Sequence, residues 1–457
     1  MLGLVVECFL EQNIFKFQKN SRASYHSFMN QSKDEILKLV ENYSSEKLEE
    51  NRFIPGISKV PVSGKVINSK DINFLVDSCL DMWFTSGHYT EKFEKSISKF
   101  LGIRHTLMVN SGSSANLLAI SALKILYSLN DGDEIITSAV GFPTTINPII
   151  QNNLTPVLVD VDPRTLNIDY KKIEEKINDK TKGIVIAHTL GIPFDLKKIK
   201  DICDKYNLFL MEDNCDAFGS KFNNKLTGTF GDVSTLSFYP AHHITTGEGG
   251  AVCTNMPKLK KIIESLRDWG RDCYCPPGED NTCKKRYEWQ LGKLPYGYDH
   301  KYIYSHIGYN LKATDMQAAL GLSQISKLPD FISARVKNYN YLKEKFKEFD
   351  MFEFPQLPNE VEPSWFGFPI TINSNAKFTR HELLLYYDEC LIGTRLMFGG
   401  NLILQPAYEN QKLIFSDDLS NADYIANNSF WLGVYPGLTQ EMLDYIYEST
   451  KTFIENN

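Results

Sequence analysis

A chain of 457 residues, with 42% hydrophobic and 23% charged residues, is long enough for two or three domains around a sizeable core. A net charge of −7 at pH 7 gives no basic footprint for nucleic acid or an anionic membrane surface; a solvated acidic exterior accounts for it. No run of 18 apolar residues occurs, so no transmembrane helix is expected, and nine unevenly placed cysteines do not form the framework of a small secreted domain.

In chain order, Met1–Cys8 is briefly apolar, but it has no leading positive charge and Glu7 and Glu11 interrupt it, so it does not read as a signal peptide. A cytoplasmic, reducing compartment is the expectation. Residues 1–30 have no periodicity and read as an extension. Residues 33–50 place Ile36, Leu37, Val40 and Leu48 at roughly helical spacing, and Pro55, Pro61 and Gly64 punctuate a loop-like arm. Residues 70–84 and 90–101 read as amphipathic helices. From residue 105 short apolar runs alternate with helical stretches: Thr106–Asn110, Glu134–Thr137, Pro156–Asp160, Gly183–Ala187, Leu208–Asp213, Thr235–Phe238 and Ala251–Thr254. Several runs lack polar alternation, as strands buried on both faces do, and strand–helix–strand order predicts an α/β fold with a mostly parallel seven-stranded sheet. Helices near 331–349 and 379–390 fall in a smaller C-terminal part. The predicted division is an N-terminal extension and arm over 1–58, a large domain over 59–324 that includes a Cys-rich loop at 271–300, and a small α/β domain over 325–457.

Four stretches carry chemistry. Ser111–Asn116 follows a strand and opens a helix; free amides and small side chains there suit an anion, with Ser113 and Ser114 as candidates and a plain capped helix as the alternative. Glu212–Ala217 places carboxylates at the end of a buried strand, which is costly unless they are paired. Ser237–Ala251 reads as strand, turn and glycine-rich return; glycines without Cβ let backbone approach something flat and bulky. His242 in that turn is able to move protons near neutral pH, the alternative being a packed neutral ring. Finally, Cys273, Cys275 and Cys283 lie in a Pro-, Gly-, Asn- and Asp-rich loop; with Cys215 they make four thiolates that suit zinc or an iron–sulfur cluster, or else are unrelated free thiols.

The Ser237–Ala251 segment resembles the sugar aminotransferases that use pyridoxal phosphate (PLP), which have the fold type I, aspartate-aminotransferase-like architecture. In that family the position of His242 holds the lysine that binds the cofactor covalently. Histidine cannot do so, and the resemblance therefore implies the amine form, pyridoxamine phosphate (PMP), free to condense with a keto sugar. It further implies that Asp213 pairs with the protonated pyridine nitrogen, that Ser237 adds a hydroxyl to the phosphate site, and that Phe142, in Gly141–Thr145, stacks on the ring unless it is simply core. Asp216 lies near the ring or caps a helix, and Asn310, in Gly308–Asn310, reaches a neighbouring subunit's phosphate across a homodimer interface or is an ordinary turn residue.

Cysteine for cysteine, Cys215, Cys273, Cys275 and Cys283 resemble one subgroup, the PMP- and [2Fe-2S]-dependent 3-dehydrases of CDP-4-keto-6-deoxy-D-glucose. The resemblance runs from about Met29 to the C-terminus and includes Arg267–Cys275, Tyr298–Tyr302 and Pro363–Pro369. It implies C3 deoxygenation of a nucleotide-linked sugar in lipopolysaccharide dideoxysugar synthesis. Electrons would come from a separate flavin and iron–sulfur reductase using NADH or NADPH, since this chain has no Gly-x-Gly-x-x-Gly dinucleotide fingerprint. Arg395 either clamps the diphosphate or makes a surface or interdomain salt bridge, and Tyr298, His300, Tyr302 and His306 either line the sugar pocket or pack.

Overall fold

The structure is a computed structural model that describes residues 29–48, 53–415 and 418–457. The extension read over residues 1–28 lies outside the described residues.

Three helices, α1 (29–48), α2 (Ser69–Leu80) and α3 (His88–Leu101), precede β1 (His105–Val109). The chain continues through α4 (Gly112–Leu126), β2 (Glu134–Ser138), α5 (Pro143–Gln151), β3 (Thr155–Val159), β4 (Thr181–Ala187), α6 (Leu196–Tyr206), β5 (Phe209–Asp213), β6 (Val233–Ser237), β7 (Gly250–Thr254) and α7 (Pro257–Arg267). The C-terminal part adds α8 (Asp315–Ile325), α9 (Leu328–Phe346), β8 (Phe352–Glu353), β9 (Phe368–Ile372), α10 (Arg380–Glu389), β10 (Thr394–Leu396), β11 (Ile414–Phe415), α11 (Ser420–Asn428), β12 (Ser429–Leu432) and α12 (Gln440–Glu455).

The fold is the expected α/β class. Its main sheet has eight strands in the order β1-β7-β6-β5-β4-β2-β3-β11. All seven predicted runs are present, each shifted by a residue or two at an end. The eighth strand is the two-residue β11, which pairs Ile414 with Val157 and was too short to leave a periodic signal. Among the described residues, β7 alone runs antiparallel in this sheet, to its neighbours β1 and β6. Buried runs such as Leu210–Met211 and Ile184–Ile186 explain why these strands show no alternation: helices cover both faces. The helix predicted over 70–84 stops at Leu80 because Met82 turns the backbone into the left-handed region, at φ 55°. The C-terminal residues form a second, antiparallel sheet in the order β8-β9-β12-β10. Among the described residues no helix is long and apolar enough to cross a membrane.

Two features of this layout place the site. Parallel strands β4, β5 and β6 end on the same edge, so Ala187, Asp213 and Thr235 sit in register there. The start of the reversed strand β7 joins them, with Gly250 paired to both Ser237 and Val109. Ligands of open α/β sheets bind at this carboxyl edge.

Candidate active site

Asp213 closes β5 with only 5% exposure. Its Oδ2 accepts from Asn116 Nδ2 at 2.8 Å and Thr145 Oγ1 at 2.7 Å, and its Oδ1 accepts from the Cys215 amide at 3.3 Å. Asn116 is itself fixed, because its Oδ1 accepts from Thr235 Oγ1 at 2.6 Å and its Nδ2 also donates to the Thr144 carbonyl at 3.0 Å. A buried carboxylate with this many donors stays aimed in one direction.

At the head of α4, Ser111 caps the helix by accepting from the Ser114 amide at 3.0 Å, and Ser114 Oγ accepts from Ser111 Oγ at 3.0 Å. Ser113 is exposed there. Space around this helix start is tight. A Cβ on Gly112 would lie 2.5 Å from the Ser237 Cβ, and one on Gly250 would lie 2.4 Å from the Ser111 carbonyl oxygen. The strand ends and the helix amides therefore approach closely, an arrangement whose free amides could hold an anion. Phe142 precedes α5, is 54% exposed and meets Phe398 edge-on at 6.3 Å between ring centroids. Because Thr145 of the same turn is tied to Asp213, Phe142 is held at the mouth of this edge.

The turn after β6 is folded on itself. The His242 amide donates to the Tyr239 carbonyl, and Thr246 N–H and Thr245 Oγ1 both donate to the Phe238 carbonyl. Arg335 holds the turn from behind. It is 1% exposed and donates to the carbonyls of His242 at 3.1 Å, Trp365 at 3.1 Å and Phe366 at 3.2 Å. His242 Nδ1 stands 3.5 Å from Asp216 Oδ1, and its ring lies 5.1 Å from that of Phe366. Burial, followed by the Arg335 charge, pulls the His242 imidazole down to about 4. Burial, followed by the Asp213 charge, pushes the Asp216 carboxyl up to about 8. The pair is thus a neutral imidazole, competent as a base, beside a carboxyl that is able to hold a proton near pH 7.

Sequence reasoning passed over the support under this edge. Glu212, fully buried, accepts from the amides of Gly228 (2.7 Å), Phe230 (2.7 Å) and Gly231 (2.8 Å) and contacts His188 Nε2 at 3.1 Å. Burial would raise this carboxyl, but His188 and the amides outweigh it and hold it below its usual range.

The Cys-rich loop folds back between the end of α7 and α8. Isolated bridges pair Arg271 with Tyr304 and Asp268 with Asn310, and Asn310 Oδ1 accepts from Lys312 Nζ at 3.0 Å on the exposed surface. Among the described residues, the ligating atoms of Cys273, Cys275 and His300 lie within 4.8 Å of one another. Cys283 Sγ is 3.6 Å from His300 Nε2, and Thr282 Oγ1 donates to Cys275 Sγ at 3.1 Å. Burial opposes it, but hydrogen bonds led by Thr282 lower the Cys275 thiol below its usual value. The loop therefore gathers three of the four predicted sulfurs. Cys215 stands on the turn after β5, half-buried, its thiol pushed well above the usual value by burial and then by Asp213. Sulfur donors converging in one loop fit a soft metal centre. His300, assigned from sequence only to the sugar pocket or to packing, stands among them.

The sequence profile of the DegT/DnrJ/EryC1/StrS aminotransferase family matches residues 66–451. The chain belongs to this family. Within it, the chain is 52% identical to the lipopolysaccharide biosynthesis protein RfbH of Salmonella typhimurium, over 94% of this chain and 99% of that one. It is 49% identical to dTDP-4-dehydro-2,6-dideoxy-D-glucose 3-dehydratase of Saccharopolyspora spinosa, over 93% and 92%. Among solved structures, Escherichia coli GDP-4-keto-6-deoxy-D-mannose-3-dehydratase with bound hydrated PLP superposes with a TM-score of 0.77 at 31% identity, covering 85% of this chain and 98% of that chain. The family frame accounts for the fold type I architecture and for the edge at which Asp213, Ser237 and the head of α4 meet. In this member a histidine closes that edge.

Proposed function

We propose that this protein removes the C3 hydroxyl of a nucleotide-linked 4-keto-6-deoxyhexose, with PMP as the resident cofactor. The observation that carries the reading is His242: a neutral, half-buried imidazole, clamped from behind by Arg335 and 3.5 Å from Asp216, occupies the turn that faces Asp213. A base with no amine to bind the cofactor covalently suits elimination better than amino transfer. The relatives support this chemistry, since two of the three are named as sugar 3-dehydratases.

Bound PMP would supply an amine for the C4 ketone and a ring able to accept electrons. Asp213 would hold the ring nitrogen protonated, its carboxylate kept in place by Asn116 and Thr145. Ser113, Ser114 and Ser237, with the amides at the head of α4, would bind the phosphate, and Phe142 would cover one face of the ring. His242 Nδ1 or Nε2 would take and return the proton, with Asp216 beside it as a second proton store. Asn310 would reach the phosphate site of a second copy in a homodimer; fully exposed Ile307 on the same loop is consistent with such pairing.

Loss of the hydroxyl as water is redox-neutral, and a 3-deoxy product needs two further electrons. We assign their entry to a [2Fe-2S] cluster on Cys215, Cys273, Cys275 and Cys283, which would supply electrons singly from a separate NAD(P)H-dependent flavin and iron–sulfur reductase. The nucleotide proposed is CDP, in lipopolysaccharide dideoxysugar synthesis in the cytoplasm; the same residues suit a dTDP sugar, the substrate class in the name of the Saccharopolyspora relative. Anaerobic purification followed by iron and sulfide analysis and a visible spectrum tests the reading. Stoichiometric iron and sulfide are expected. Zinc without iron would defeat the electron-transfer part, and amino transfer from glutamate on added PLP would defeat the dehydration part.

A further inference from the structure

The iron–sulfur reading leaves one residue of the loop without a role. His300 is fully buried, sits 4.5 Å from the Trp289 ring, and its amide donates to the Arg286 carbonyl at 3.0 Å. Arg286 in turn donates through Nε and Nη2 to Asp299 Oδ2 at 2.9 and 2.6 Å, which ties down the residue just before the histidine. Its Nε2 points at two sulfurs, Cys283 Sγ at 3.6 Å and Cys273 Sγ at 3.9 Å. Its Nδ1 is buried and has no hydrogen-bond partner among the described residues.

That asymmetry fixes the tautomer. A neutral imidazole carries one N–H and one lone pair. An orphaned buried N–H is rarer than an under-satisfied acceptor. The proton therefore belongs on Nε2, where sulfur can accept it, and the bare lone pair on Nδ1. We propose that His300 is a positioning residue for the metal centre, donating its Nε2–H to the sulfurs of Cys273 and Cys283 and thereby making the centre easier to reduce. The proposal rests on the cluster reading above. Reduction adds one negative charge to the centre, so a donor aimed at its thiolates stabilises the reduced form more than the oxidised one. Hydrogen bonds to the sulfurs are among the levers that set such potentials, and burial strengthens this one.

The test is potentiometric titration of anaerobically reconstituted full-length protein, followed by visible absorbance and electron paramagnetic resonance, with iron measured on the same samples. His300→Leu removes the donor, and His300→Gln restores an N–H at similar reach. The expected result is full iron in all three proteins, a midpoint lowered by about tenfold in the reduction equilibrium (about 59 mV for one electron) in the leucine variant, and partial recovery in the glutamine variant. Wild-type iron with coincident midpoints would overturn the role of His300 while leaving the cluster reading intact. Loss of iron from both variants would make His300 a ligand and overturn the donor assignment. A wild-type protein that takes up no iron would sink the cluster reading, and this role with it.

Discussion

Glu212→Gln removes a charge from the fully buried support under Asp213 while keeping its shape. In the native protein one oxygen accepts from Phe230 and Gly231, and the other from Gly228 and His188. The glutamine oxygen can keep the first pair, and its NH2 then faces the Gly228 N–H, donor against donor. His188 could accept from that NH2 only by moving its proton to Nδ1, which has no hydrogen-bond partner among the described residues. An orphaned backbone donor costs about 1–3 kcal/mol, and two bonds that lose charge assistance cost about 1 kcal/mol each. Relief from burying a charge offsets part of this. The balance is a destabilisation of about 2–4 kcal/mol, read as a lower urea midpoint at unchanged slope. The pH dependence is a second check. The native pKa of Glu212 lies below its unfolded value, so its contribution is complete above the unfolded pKa of about 4.3 and is lost as pH falls through the native value. The gap between wild type and variant should therefore be full at pH 7 and close in acid. A variant as stable as wild type at pH 7, or a gap that widens in acid, would refute the reasoning.

Other substitutions probe the site itself. Asn116→Leu deprives Asp213 of one donor and Thr235 of its acceptor; PMP affinity should fall about tenfold by equilibrium dialysis, for about 1.4 kcal/mol. His242→Asn should leave fold and PMP binding intact and abolish release of the C3 hydroxyl, followed by product chromatography, and undiminished turnover would remove His242 from the chemistry. His242→Lys should bind PLP covalently, seen as a borohydride-reducible visible band that the wild type lacks. Cys273→Ser should still exchange solvent oxygen into the C3 hydroxyl of the sugar, through reversible loss and return of water, but yield no net 3-deoxy product with the reductase present.

Much of the fold was legible because β4, β5 and their neighbours are buried on both faces and so read as unbroken apolar runs. The boundaries that slipped have local causes: Met82 in a left-handed turn carries no glycine or asparagine to announce it, and β11 is only two residues long. At the site, the motif residues Asp213, Ser237 and His242 stood out because polar or small residues interrupt those runs. Their supports did not. Arg335 lies on α9, where an arginine reads as surface, yet it is buried and donates to four main-chain carbonyls. Asn116 and Thr145 lay within motifs already singled out, but their common target, Asp213, is 97 and 68 residues away. His300 is separated from Cys283 by 17 residues, and no spacing rule joins them.

The single reversed strand has a mechanical corollary. Because β7 starts where β6 ends, the His242 turn is a closed hairpin pinned at both mouths by Ser237–Gly250 pairing, rather than a crossover hung from a helix. Such a loop has little slack. Lengthening it by even one residue would displace the imidazole before it disturbed the sheet, so insertions here should cost turnover long before they cost solubility.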